Sequence, residues 1–182
     1  MMNEEKMTEL ALEYGFSCAK VAAVSELVFD PELRVYCEEN TCGNYGRNYA
    51  CPPDCGSQAE MKARTDKYSR ALVLQTVQPV ESVMDSAQTK TARKAHNLLS
   101  REFMDFLEKE GVVGLRVMAG PCSYCEQCAR IKDEPCRFPD KLASCLSAYC
   151  IDAGAMAETC GMPYWCGNEE VPFFSIYFFG EV

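Results

Sequence analysis

The middle of the chain reads ALVLQTV at residues 71–77 and VVGLRVMA at residues 112–119. Both stretches are short apolar runs rich in branched residues, which is typical of buried β-strands. Between them, residues 83–110 carry an apolar stripe at helical spacing, and Gly111 follows as the expected helix end. The sequence therefore predicts a strand, a long helix and a second strand at the centre of the fold.

The flanking segments continue this alternation of strands and helices. Strands are expected within 19–29 and at 173–179. Further helices are expected at 4–14, at about 58–68, from Pro139 through Leu142, Leu146 and Tyr149, and from Asp152 to near Gly161. This pattern predicts an α/β fold, namely a single layered domain over residues 1–182 with a four- to five-stranded sheet flanked by helices. It leaves the directions of the strands open.

The composition excludes several classes of protein. The 182 residues include 18 Lys and Arg against 27 Asp and Glu, a formal net charge of −9. A nucleic-acid-binding face is not expected, because it needs basic residues to neutralise phosphates. No stretch approaches the ~20 apolar residues of a membrane span, and MMNEEKMTEL at the start lacks the features of a secretion signal. We expect a cytoplasmic protein whose partner is a redox protein or a small-molecule substrate.

The unusual feature of the composition is its 13 cysteines. Their number is odd, so a complete set of internal disulfides would leave one thiol over. The cytoplasm also keeps thiols reduced. So many thiols in a reducing compartment indicate metal or iron–sulfur ligation, or redox chemistry. Eight of them lie in two loops, the first at 37–56 and the second at 120–139.

The second loop reads GPCSYCEQCARIKDEPCRFP, with Cys122, Cys125 and Cys128 spaced C-x2-C-x2-C and Cys136 following. Three thiolates at steps of three can wrap one face of a cubane cluster, and the bacterial ferredoxin motif contains the same triple. Structural zinc more often uses two separated C-x2-C pairs. We therefore predict a [4Fe–4S] cluster here, with zinc or unligated thiols as the alternatives.

The first loop contains Cys37, Cys42, Cys51 and Cys55, separated by gaps of 4, 8 and 3 residues. Its glycines let the backbone curl round a metal centre, and its prolines stiffen the exit. We predict a second iron–sulfur cluster here, with zinc as the alternative because the geometry suits either metal. A thiol-lined structural loop is the third interpretation.

Several residues besides the loop cysteines are candidates for a role. Arg47 and Arg137 each lie inside a cysteine loop and are candidate cofactor-binding residues, because a cation beside an anionic cluster stabilises its reduced form. The alternative for each is an exposed loop arginine. His96 is the only histidine, so a structural or surface role is expected and histidine-based hydrolysis is disfavoured. Packing roles are expected for the remaining cysteines, Cys18, Cys145, Cys150, Cys160 and Cys166.

In its two loops the chain resembles a prokaryotic family of predicted metal-binding proteins, a domain of unknown function. The matching residues are Cys37, Cys42, Tyr45-Gly46, Cys51-Pro52-Pro53, Gly120-Pro121-Cys122, Cys125, Cys128, Cys136-Arg137-Phe138-Pro139 and Ile151-Asp152. The resemblance spans nearly the whole chain and implies seven metal-linked cysteines, which are the eight loop cysteines without Cys55. If Cys55 does not bind, the first centre has three thiolates and an open position at which an iron could bind substrate.

The sequence as a whole predicts an iron–sulfur protein with one [4Fe–4S] cluster, and a second if the first loop also binds one. Its expected role is electron transfer, alone or as a small oxidoreductase component. Two other interpretations remain, a zinc-binding structural or interaction module and an enzyme with substrate bound at an open cluster iron. The chain contains neither a dinucleotide-binding nor a P-loop motif.

Overall fold

The structure is a computed structural model that describes residues 2–182, and a five-stranded mixed sheet forms its centre. The strands are β1 (Cys18–Ala23), β2 (Tyr68–Pro79), β3 (Gly114–Met118), β4 (Ser144–Cys145) and β5 (Glu170–Glu181). Their order across the sheet is β1-β2-β5-β3-β4. The first four strands in this order pair antiparallel, whereas β4 pairs in parallel with β3. The predicted α/β architecture is confirmed, and the strand directions that the sequence left open are mixed.

Helices cover both faces of the sheet. On one face lie α1 (Glu4–Tyr14) and α4 (Ser86–Lys109), and on the other lie α3 (Gln58–Thr65) and α5 (Ala153–Cys160). A single turn, α2 (Val35–Glu38), begins at the entrance of the first loop. Within residues 2–182, no helix combines the length and the apolar character that crossing a membrane requires.

Alternate residues of the central strands belong to two separate hydrophobic cores. Val73 and Ile176 pack against α3 and α5, whereas Leu72 and Tyr177 pack against α1 and α4. This follows from strand geometry, since successive side chains point to opposite faces of a sheet. A strand covered on both faces needs apolar residues at every position, which explains the unbroken apolar run of β2.

The helix ends follow their capping residues. Ser57 and Glu60 form the predicted capping box of α3, with the Glu60 carboxylate accepting from the Ser57 amide at 2.7 Å. Asp152 caps α5 as predicted, and Asp85 caps α4. These side chains satisfy amides that a helix start leaves without a partner. The helices predicted at 4–14, 58–68, 83–110 and after Asp152 are confirmed, with small shifts of their ends.

The helix predicted from Pro139 is wrong. After a 3₁₀ turn at Pro139–Lys141, the chain enters β4, where Cys145 pairs with Met118 of β3. Pairing with the exposed edge of β3 satisfies the backbone here in place of a helical ladder. Leu142 is 38% exposed while Leu146 is buried, so these residues do not share one helical face.

The two cysteine loops pack directly against each other at the β3–β4 side of the sheet. Asn48 of the first loop donates from Nδ2 to the carbonyl oxygen of Cys122 in the second loop, at 2.9 Å. The Tyr49 hydroxyl donates to the carbonyl oxygen of Glu134 at 2.8 Å. These contacts bring the cysteines of both loops into one region of the molecule.

Candidate metal centre

Four cysteine side chains line one cavity of about 200 Å³, which we call the first cavity. They are Cys37, Cys42, Cys51 and Cys145. Cys37 lies on α2, Cys42 and Cys51 lie in the loop that follows it, and Cys145 ends β4. The structure thus brings together three of the four ligands predicted in the first loop, and it adds a cysteine that the sequence assigned to packing.

The thiols of the first cavity interact with one another. A hydrogen bond between the thiols of Cys37 and Cys145 raises the pKa of Cys37 and lowers the pKa of Cys145 to about 6. Backbone amides of Ser147 and Ala148 also donate towards the Cys145 sulfur. Burial raises the pKa of Cys51, and the neighbouring Cys145 raises it further. A bound metal ion displaces the protons of its thiol ligands, so metal binding would offset the free-energy cost of placing these thiols close together.

Cys55, the fourth ligand predicted in the first loop, does not reach this cavity. It lies in the hydrophobic core with Met61 and Tyr149, and its Sγ is 3.7 Å from Nη2 of Arg34. Burial raises the pKa of the Cys55 thiol, and the Arg34 charge opposes this rise. Among the described residues, those that line the first cavity do not include Cys55.

Arg34 is a buried cation between the first loop and the turn after β4. Only 5% of it is exposed, and its guanidinium donates to the carbonyl oxygens of Ala148 and Gly56. None of the ion pairs found within residues 2–182 involves Arg34. Burying a charge without a partner is costly, so a nearby anionic centre would stabilise this arrangement. Metal-bound thiolates would supply that negative charge.

Three cysteines of the second loop line another, wider cavity of about 550 Å³, the second cavity. These are Cys122, Cys125 and Cys128, whereas Cys136 is not among the described residues that line it. Three cations, Arg47, Lys94 and Arg101, share the cavity with one carboxylate, that of Glu126. The excess of positive charge would offset the negative charge of metal-bound thiolates.

The second loop is held in place by contacts around Cys122. Burial raises the pKa of the Cys122 thiol, while backbone amides of Tyr124 and Ala143 donate towards its sulfur and lower it. The Arg101 guanidinium lies 3.9 Å from the centre of the Tyr124 ring, and it donates to the Ser123 hydroxyl at 2.7 Å. Amide donors of this kind are a common means of stabilising metal-bound sulfur.

Asn97 of α4 anchors the strand end from which the second loop starts. Its Nδ2 donates to the carbonyl oxygen of Ala119 at 2.7 Å, and its Oδ1 accepts from the Ala119 amide at 3.0 Å. Two residues later, Pro121 lines the first cavity and Cys122 lines the second. One peptide bond therefore separates the linings of the two cavities.

The predicted cofactor-binding arginines have different positions. Arg47 belongs to the first loop, yet it lines the second cavity. Arg137 donates to the carbonyl oxygen of Gln127 at 3.3 Å, and its Nη2 lies 3.6 Å from the Glu134 carboxylate, so it braces the second loop.

The sequence analysis missed the polar face of α4. Arg93, Asn97 and Arg101 recur at intervals of four residues, the spacing of one helix face. Arg93 lines the first cavity and Arg101 the second. The four-residue spacing of these side chains in the sequence could therefore have predicted that α4 presents two cations and an amide to the cysteine loops.

His96 has the structural role expected of it. It is fully buried, and its Nδ1 lies 2.9 Å from the Thr76 hydroxyl. Burial lowers the pKa of His96 to about 4, so the ring is neutral near pH 7. It lines neither of the two cysteine cavities.

The donor set fits a thiolate-bound metal centre in the first cavity. Its four thiols are soft ligands that suit zinc and iron–sulfur clusters, and amides and a buried cation lie beside them. Within residues 2–182, no three Cys, His, Asp or Glu side chains lie close enough together to hold one metal ion. The four cysteines line the first cavity without converging on one point.

The comparison with known families agrees with these observations. A family model described as "Predicted metal-binding protein (DUF2284)" matches residues 20–179, a range that includes both cysteine loops. No curated protein and no solved structure matches the chain. Since the family match covers most of the sequence, the chain belongs to this family of predicted metal-binding proteins.

Proposed function

We propose that this protein is an iron–sulfur electron carrier with one [4Fe–4S] cluster in each cysteine-lined cavity. In the first cavity, Cys37, Cys42 and Cys51 would hold the cluster together with a fourth ligand. The second cluster would be held by Cys122, Cys125 and Cys128, with Cys136 as the predicted fourth ligand. A bound cluster accepts and donates single electrons, and the chain excludes water and sets the potential.

The observation that carries this proposal is the closeness of the two cavities. Pro121 lines one and Cys122 lines the other, so the two centres are neighbours along the backbone. The thiols of Cys51 and Cys122 are also close enough for their charges to interact. Two redox centres in these neighbouring cavities would form a short path through which an electron could enter at one and leave at the other.

The first cavity supports a cluster over a single zinc ion. Zinc holds four sulfurs at ~2.3 Å, so the sulfurs crowd round the ion and leave no open volume between them. The first cavity measures about 200 Å³ and is lined by seven further residues besides its four cysteines, so these cysteines do not close round a single point. The C-x2-C-x2-C triple of the second loop favours a cluster there as well.

The cations of the second cavity support a redox role. A cluster gains negative charge on reduction, and nearby positive charge stabilises that reduced form. Arg47, Lys94 and Arg101 supply such charge. We therefore propose that these cations raise the potential of the second cluster.

Spectroscopy of the anaerobically purified protein tests this function. We expect a broad thiolate-to-iron absorption in the visible range that bleaches with dithionite, together with a paramagnetic signal in the reduced state. Cys125→Ser should remove about half of the absorption, since one of two clusters is lost. Cys160→Ser is the matched control, because Cys160 ends α5 and lines neither cavity. A colourless protein loaded with zinc would contradict the proposal and favour the zinc-binding module.

A second candidate function is the reduction of a small anionic substrate in the second cavity. The specific observation is that three cysteines line a cavity of about 550 Å³ without Cys136, and that its three cations outnumber its one carboxylate, Glu126, which suits an open iron position beside an anion-binding pocket. Azide serves as the anionic probe. If it alters the paramagnetic signal of the reduced protein, and Arg101→Gln weakens that effect, substrate reduction is supported. An unchanged signal rejects it.

A further inference from the structure

Cys145 ends the short strand β4 and lines the first cavity beside Cys37, Cys42 and Cys51. We propose that Cys145 is the fourth thiolate ligand of the first metal centre and that Cys55 is not a ligand. This assignment rests on the proposed function, because it takes the first cavity to be a metal centre. It removes the open coordination position that three thiolates would leave there.

The fold explains how a residue so distant along the chain reaches the first loop. Cys145 pairs with Met118 in the parallel β3–β4 ladder, so the two strands end at the same edge of the sheet. The chain that leaves β3 passes Gly120 and Pro121, which line the first cavity on that edge. Pairing with β3 therefore fixes the position of Cys145 in the sheet. The other three cysteines of the cavity come from the first loop and from α2 at its entrance.

The surroundings of the Cys145 sulfur are those of a metal ligand. Cys37, Cys42 and Cys51 line the same cavity as Cys145, and Ser147, two residues beyond Cys145, lines it as well. Thiolates gathered round one cavity are what a structural zinc or an iron–sulfur site requires.

Arg34 links the surroundings of the proposed ligand to the first loop. Its guanidinium donates to the carbonyl oxygen of Ala148, in the turn after Cys145, and to that of Gly56, at the end of the first loop. One buried cation thus fixes both parts of the chain that supply ligands. Its charge offsets the negative charge that four thiolates bring to the centre.

Cys55 has the contacts of a core residue instead. It is buried among apolar side chains, including Met61 and Leu146, and the Arg34 guanidinium lies on its sulfur at 3.7 Å. A buried cysteine in such a place behaves as a small hydrophobe. Without Cys55, four cysteines still line the first cavity, the number of thiolates that a [4Fe–4S] cluster or a structural zinc ion takes.

Iron and acid-labile sulfide contents of three anaerobically purified proteins test the assignment: the unchanged chain, Cys145→Ser and Cys55→Ser. We expect Cys145→Ser to lose about half of the iron and sulfide, since one of two clusters is lost, and Cys55→Ser to keep all of it. Equal loading of Cys145→Ser and the unchanged chain would overturn the assignment. So would a folded Cys55→Ser protein that has lost half of its iron.

The two variants keep the test decisive if one of them is unstable. If Cys145→Ser does not fold, the iron content of Cys55→Ser still tests the claim that Cys55 is not a ligand. Failure of the proposed function looks different, because the unchanged chain would then contain no iron. Should that chain contain zinc, the zinc content of the same three proteins tests the ligand assignment in the same way.

Discussion

Replacing Asn97 by alanine should destabilise the protein strongly, because Asn97 makes both hydrogen bonds to the buried backbone of Ala119. Asn97 is 2% exposed, and Ala119 is buried as well. Asn97→Ala would leave the amide and the carbonyl of Ala119 without a partner in the interior. Ala119 leads directly into the segment that lines both cavities, so the effect should extend to metal binding.

The size of the effect follows from the groups left unpaired. Each buried polar group without a partner costs about 1–3 kcal/mol, and alanine returns about 0.5 kcal/mol of helix propensity, so the net loss is roughly 2–5 kcal/mol. With a urea dependence of about 2 kcal/mol per molar for a chain of this size, the unfolding midpoint should fall by roughly 1–2.5 M.

Urea unfolding followed by far-ultraviolet circular dichroism measures this change, with the variants compared at equal iron content under anaerobic conditions. Glu102→Ala is the matched control, because Glu102 lies exposed on the same helix. It should change the free energy of unfolding by less than about 0.5 kcal/mol. If Asn97→Ala costs less than about 1 kcal/mol, the anchoring role assigned to this side chain is refuted.

Three further predictions concern pH, redox potential and metal removal. Burial lowers the pKa of His96 from 6.5 to about 4, so as pH falls the unfolded state binds this proton before the folded state does. The protein should therefore lose roughly 3 kcal/mol of stability between about pH 6.5 and below pH 4. The free energy of unfolding of His96→Gln should lack this pH dependence, and equal pH dependence in both proteins would contradict the prediction. Arg47→Gln should lower the midpoint potential of the second cluster more than Arg137→Gln does, because Arg47 lines the second cavity while Arg137 braces the loop. A redox titration measures both shifts, and equal shifts would contradict the prediction. Removal of metal should let a protease cleave within 37–56 and 120–139 before it cleaves α4, because the proposed ligation would hold these loops together. Mass spectrometry of the fragments checks this, and first cuts in α4 would contradict it.

Local sequence features predicted the helices and the central strands well. The capping box of Ser57 and Glu60 and the cap at Asp152 act within one turn, so their effect is visible in the sequence. The apolar run at 71–77 predicted a buried strand because both of its faces are covered. The directions of the strands could not be predicted, since they depend on pairing between distant segments.

The segment after Pro139 shows where local patterns fail. Leu142, Leu146 and Tyr149 have helical spacing, but the free edge of β3 offers this segment backbone pairing that a single-sequence pattern does not contain. Because of this error, Cys145 was not predicted as a candidate ligand, since a residue on a helix would not lie at the sheet edge. Its place in the first cavity depends on a tertiary contact.

The candidate centres were predicted only in part for a similar reason. The triple Cys122, Cys125 and Cys128 is local in sequence, and the structure brings all three residues to one cavity. By contrast, Arg47 reaches the second cavity because the first loop packs on the second, through contacts such as that of Asn48 with the Cys122 carbonyl. Loop spacing alone does not encode that contact.

The iron and acid-labile sulfide contents per chain, measured on the full protein purified without oxygen, test the central proposal most directly. Two [4Fe–4S] clusters predict about eight iron atoms and about eight sulfide ions per chain. A folded protein free of both iron and sulfide would contradict the account, whatever other metal its thiols then held.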